Sequence, residues 1–170
     1  MKKNRSKGFS MIELIIVVAI IGIFSALATL GFGYLQSGNV KSAARNIDAT
    51  LSKLKLDTMK QNKQPVMYIY KKGSDYYMHC TAKTFTVPSG TGDTAVGQKI
   101  GNHNVKITAF DGTTTKELNT GDSFQITFNK GSGTFTSNYR HIYVAHSDGG
   151  GITYDIEMIK ETGKHFINVN

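Results

Sequence analysis

From Leu14 to Leu35 the chain carries no charged side chain: LIIVVAIIGIFSALATLGFGYL. As a helix, that run rises about 33 Å at 1.5 Å per residue, enough to cross a hydrocarbon core of roughly 30 Å. A helix apolar on every side has no solvated face, so it belongs in lipid or inside a bundle. Directly before it stand Lys2, Lys3, Arg5 and Lys7, and basic residues flanking a membrane segment stay cytoplasmic. The expected topology is a single pass through the cytoplasmic membrane, amino terminus inside and the carboxyl-terminal part outside.

One acid interrupts the entry to this segment, Glu13. A carboxylate costs roughly 2.5–3.5 kcal/mol at the centre of a membrane helix and less near the interface. A residue placed there needs a partner, which points to assembly and not to solubility. An interfacial acid that snorkels to the headgroups is the plainer alternative. An ordinary secretory signal fits poorly, because its apolar region spans about 7–15 residues before a small-residue cleavage site. A simple signal anchor accommodates the length but leaves Glu13 unexplained.

The segment KGFSMIELIIVVAIIG, residues 7–22, resembles the class III signal of type IV pilins and their pseudopilin relatives. The resemblance rests on a glycine at Gly8, a phenylalanine at Phe9, an acid at Glu13 and the long apolar run behind them. It implies that a prepilin peptidase removes the basic leader 1–8 by cutting after Gly8, and that the new amine on Phe9 is methylated. It further implies that Glu13, fifth in the processed chain, pairs with the terminal amine of a neighbouring subunit. In a helix Glu13 lies one turn from Phe9, and an ion pair at low dielectric far outweighs a surface bridge, while a lone buried charge costs several kcal/mol. In assembled members of the family a middle portion of this helix often loses its hydrogen bonds, usually near a proline. This chain has no proline before Pro65, so Gly22 and the pair Gly31 and Gly33 are the expected weak points.

Beyond the membrane half, 9–35, an amphipathic half is expected over 36–63. Val40, Ala44, Ile47, Leu51, Leu54 and Thr58 recur at spacings of three and four, one apolar stripe suited to packing on a sheet. Asn62, Lys63 and Pro65 mark its stop. From residue 64 the period changes to two. Residues 66–70 and 75–80 read as a hairpin around Lys71-Lys72-Gly73-Ser74. Further strands are expected at 83–88, 104–110, 122–129, 134–137, 140–146, 152–160 and 165–168, with 89–103 as a long polar loop. The fold class is therefore α+β, a long amino-terminal helix packed on an antiparallel β-sheet head at 64–170.

Catalytic and metal signatures are missing. The five histidines, His79, His103, His141, His146 and His165, match no metal spacing and read as mostly solvent-facing. Cys80 is the single cysteine; no intrachain disulfide can form, and it reads as a small buried hydrophobe. Residues 131–137, GSGTFTS, are glycine-rich in the manner of a turn and lack the order of a phosphate loop. Asp148-Gly149-Gly150-Gly151 has too few acids for a calcium loop. No enzyme activity, cofactor or metal is expected.

Net charge is +8, and the leader supplies four of those charges; the rest of the chain holds sixteen basic and twelve acidic side chains. That mild excess reads as solvated surface, and no aromatic–basic stacking cluster favours nucleic acid. Short segments, residues 42–45 on the helix and 64–66, 126–131, 154–156 and 162–164 in the head, resemble the H-type minor pseudopilins and the similar FimT-like minor pilins. The leading expectation is a minor type IV pilin that helps initiate, cap or adapt an extracellular filament. The alternatives are a type II secretion pseudopilin in a periplasmic piston and a DNA-uptake pseudopilin. Partners implied by the resemblance are the prepilin peptidase, other pilin or pseudopilin subunits, the assembly platform and, before assembly, membrane lipid.

Overall fold

The computed structural model describes residues 10–60, 64–90 and 92–170, with side chains throughout except at 27–37. One helix, α1 (Met11–Lys60), runs unbroken through the first part. It stays helical across Gly22, Gly31 and Gly33, although each glycine lowers helix propensity by about 1 kcal/mol. Asn62 and Lys63, expected at its stop, lie outside the described residues. The chain divides into two compact units between Leu35 and Gln36.

In the first unit the described side chains from Met11 to Ala26 are all exposed, with eleven large hydrophobics among them. The apolar run read from the sequence extends into 27–35, whose side chains lie outside the described residues. Among the described residues, no helix is long and apolar enough to cross a membrane.

In the second unit α1 presents the expected stripe. Val40, Ala43, Ala44, Ile47, Leu51 and Leu54 are each at most 2% exposed, while Lys41, Arg45 and Lys53 face solvent. Thr58, also fully buried, hands its hydroxyl proton to the Leu54 carbonyl (2.8 Å), which satisfies a polar group that burial would otherwise penalise.

Nine strands follow: β1 (Val66–Lys72), β2 (Asp75–Thr81), β3 (Gln98–Gly101), β4 (Val105–Phe110), β5 (Thr115–Glu117), β6 (Ser123–Ile126), β7 (His141–His146), β8 (Tyr154–Ile159) and β9 (Lys164–Val169). They form the expected antiparallel β head as two sheets, β3-β2-β1-β6 and β5-β4-β7-β8-β9. Both contribute to one core with the helix stripe, through Met67, Ile69, Met78, Phe124 and Ile126 from the first and Ile107, Ile142, Val144, Ile156 and Met158 from the second. The alternation is legible along β4 and over His141–Val144 of β7, where every second side chain is buried.

The first hairpin stands as expected, with Lys72 opposite Asp75 across a Gly73-Ser74 loop. Gly73 has φ 61°, a left-handed conformation that glycine adopts without penalty. Residues 131–133 also form a turn: Asn129 Oδ1 accepts from the Gly131 and Ser132 amides, and Phe128 bridges to Phe135.

Four expectations need correction. Residues 83–88 form no strand; Phe85 instead packs its ring on Tyr68, Tyr70 and His79 (centroids 5.0, 5.7 and 4.7 Å). The same stretch is tied down further along, where the Tyr70 hydroxyl donates to the Val96 carbonyl and accepts from its amide. Within the expected loop 89–103 lies β3, which pairs with β2 past a register shift between Tyr76 and Tyr77. Of 134–137 only the Phe128–Phe135 bridge pairs, and the fully exposed β5 appears where no strand was expected. Cys80 is exposed, not buried: it shares a face of β2 with Tyr76 and Met78 but lies beyond the part the core covers, in an open groove beside Lys53 and Asp57. Surrounding protein still disfavours its thiolate and pushes its pKa up to about 11, so it is a poor nucleophile.

Candidate assembly site at the start of the helix

Ser10 precedes the first helical residue, and its side chain and that of Glu13 close on each other. The Ser10 amide donates to Glu13 Oε2 (2.8 Å), and the Glu13 amide donates to Ser10 Oγ (3.3 Å). The Leu14 amide donates to the Ser10 carbonyl (3.2 Å) and completes the turn. This reciprocal pair is a capping box, in which serine and glutamate three residues apart satisfy two amides that the first turn leaves without partners. The signal Ser10-Met11-Ile12-Glu13 was present in the sequence, and the reading of Glu13 as an acid in want of a partner missed it.

The cap changes what the carboxylate can do. One oxygen, Oε2, is held by the Ser10 amide; the other accepts no hydrogen bond among the described residues. The charge sits at the positive end of the helix dipole, which stabilises it before any partner subunit arrives. The carboxylate is thus positioned by the backbone of its own helix start. Gly8 and Phe9, the expected cleavage and methylation positions, lie outside the described residues.

The head brings together no comparable site from the residues singled out by sequence. Its histidines are mostly half-buried and engaged with acids, not solvent-facing. His141 Nδ1 lies 2.9 Å from Asp155 Oδ1, His146 contacts Asp148, and His165 Nε2 lies 3.0 Å from Ser52 Oγ and 3.5 Å from Asp48 Oδ1. Burial lowers the pKa of His165, an effect that Asp48 partly opposes. The first and third pairings join residues 14 and more than a hundred positions apart, so no local spacing could have revealed them. Among the described residues no three His, Cys, Asp or Glu side chains gather to hold a metal.

Residues 3–29 match a family model described as the prokaryotic N-terminal methylation motif. No curated protein and no solved structure matches the chain. The match covers the basic stretch from Lys3, Gly8, Phe9, Glu13 and most of the apolar run, the residues on which the class III prepilin resemblance rested. With that signal leading into a long helix and an antiparallel β head, the motif supports the place of this chain in the type IV pilin and pseudopilin family.

Proposed function

We propose that the chain is a minor type IV pilin, a structural subunit that waits in the cytoplasmic membrane with its head outside and then enters an extracellular filament. The observation that carries the reading is the methylation motif on a helix whose first sixteen described residues bury nothing. An unpartnered helix with apolar side chains all round is stable only in lipid or against other such helices. Processing after Gly8 creates a methylated, positively charged amine on Phe9, and the unspent oxygen of Glu13 receives the amine of an adjoining subunit. The pair neutralises two charges in an apolar bundle and fixes the axial register.

Glu13→Ala tests this reading. Cleavage and methylation should continue, because both act on Gly8 and Phe9, while the amount recovered in sheared filaments falls at least about tenfold, the scale of one lost charge-assisted bond. Glu13→Gln separates the two roles of the side chain: its amide oxygen keeps the cap to Ser10, yet it carries no charge to pair. Filaments that incorporate Glu13→Gln at wild-type levels contradict the pairing.

A further inference from the structure

Each sheet of the head ends in two edge strands, β3 and β6 in one and β5 and β9 in the other. An edge strand has backbone amides and carbonyls on one side that no ladder satisfies, and folded proteins blunt such edges by shortness, charge, bulges or cover. Three of these edges are blunted. β3 is four residues long, shifts register against β2 and carries the Lys99–Asp75 pair (2.6 Å). β5 has three residues, TKE, and its Glu117 is paired with Lys106. β6 has four, and the chain doubles back beside its end through the Phe128–Phe135 bridge.

β9 has none of these protections. Its six residues, KHFINV, contain no proline and pair with β8 in one unbroken register from Lys164↔Ile159 to Val169↔Tyr154. Just beyond, Thr153 and Asn170 exchange both amide–carbonyl hydrogen bonds (3.1 and 2.9 Å). Pairs of that kind alternate along an antiparallel ladder, so Phe166 and Asn168 spend their backbone groups on β8, and Ile167 and Val169 direct theirs away from it. Among the described residues, those outward amides and carbonyls meet no partner. The edge is also open at its side chains: Phe166 is 49% and Val169 61% exposed. The Lys164 ammonium has no acid within ion-pair distance among the described residues.

We propose that β9 is the docking edge for an extended segment of a partner polypeptide, which adds a sixth strand to this five-stranded sheet. Donors and acceptors alternating along a line are matched by another extended backbone; a helix has already spent its own groups. The segment runs antiparallel to β9, like every other neighbour in the sheet. Its side chains come closest to β9 opposite Lys164 and Phe166, the positions outside the new hydrogen-bonded pairs. There it presents an acid to Lys164 and a β-branched or aromatic residue to Phe166, with apolar residues opposite Ile167 and Val169. Opposite His165 it is polar, because Ser52 and Asp48 of α1 lie against that ring. A second copy of β9 fits less well. Centred on Phe166 or on Ile167, it sets an asparagine against Lys164 and supplies no acid. The edge lies wholly within the second unit, so the proposal does not depend on how the chain is anchored.

The test uses the full chain in phospholipid nanodiscs and a synthetic heptapeptide, acetyl-TVTVITE-amide, whose glutamate falls opposite Lys164 and whose isoleucine falls opposite Phe166. The peptide binds saturably in calorimetry and slows hydrogen exchange in residues 164–170. A copy methylated on the backbone nitrogens that face β9 does not bind. Val169→Pro removes one outward amide and none that β8 uses, so the fold holds and affinity falls about five- to tenfold, the scale of one hydrogen bond. Lys164→Glu weakens the same peptide about fivefold and turns the preference toward TVTVITK, a reversal that loss of structure cannot produce. Four results overturn the proposal: no binding of the peptide; equal binding of its methylated copy; wild-type binding by folded Val169→Pro; or cross-linking that finds β9 paired with a second copy in place of the peptide.

Discussion

Single residues in this head carry two kinds of constraint, steric and electrostatic. A Cβ built on Gly163 would lie 1.8 Å from the Gly133 carbonyl oxygen, and Gly163 has φ +61°. The Lys55 ammonium donates to the carbonyls of Thr162 and Gly163 (3.1 and 3.0 Å) at the same spot, so the turn before β9 is clamped to α1. Gly163→Ala therefore combines overpacking of about 1–3 kcal/mol with a left-handed backbone penalty of about 1–2 kcal/mol. Gly73→Ala has nearly the same φ and nothing within 4 Å, and only the backbone penalty applies. Thermal melting should show the first variant far below the second; equal losses would remove the clamp. His165 supplies the electrostatic case. Its folded pKa is lowered, chiefly by burial, so the unfolded chain binds the extra proton first. The resulting stability is present above about pH 6.5, the unfolded value, and is lost as pH falls below it. Melting between pH 7.5 and 5 should fall more steeply for wild type than for His165→Gln; parallel curves would contradict the assignment. Glycine contacts and histidine partners of this kind were not legible in the sequence, because each depends on residues about thirty to more than a hundred positions away.

Elements were legible to the extent that burial is periodic. The stripe on the second half of α1 and the alternation of β4, β6 and β7 follow from residues that must face one core, so their spacing survives in the sequence. β3 and β5 could not be read this way. β5 is exposed along its whole length and exists because it pairs with β4, aided by the Lys106–Glu117 bridge (2.9 Å). β3 holds a single large apolar residue, Ile100, within a glycine- and threonine-rich stretch. Residues 83–88 erred the other way: Phe85 satisfies the apolar pattern by packing on β1 and β2 without pairing, and Pro88, which is buried, has no amide to give a ladder. The helix stripe gives the element-scale prediction. Leu51 is fully buried among both sheets, and Leu51→Ala should cost about 2–5 kcal/mol. Ser52→Ala next to it removes only the contact to His165 and should cost about 1 kcal/mol. Denaturant unfolding measures both, and a Leu51→Ala loss no larger than that of Ser52→Ala would show that the helix is not part of the core.

At the scale of the whole molecule, one half holds itself together and the other does not. The unit from Gln36 onward has a shared core of helix and two sheets, and the apolar side chains between Met11 and Phe24 are left without cover. That division is the physical content of a subunit built for assembly: the head is finished alone, and the first half of the helix is finished only by lipid or by neighbours. The capping box steadies Glu13 at the helix start, where the proposed pairing needs a cation from a neighbouring subunit. Everything then turns on whether that cation is made. Intact-mass and peptide mass spectrometry of the protein recovered from its native membrane measures this directly. The account predicts a chain that begins at Phe9 and carries one added methyl group on its amine; a chain that retains Lys7 and Gly8 would contradict it.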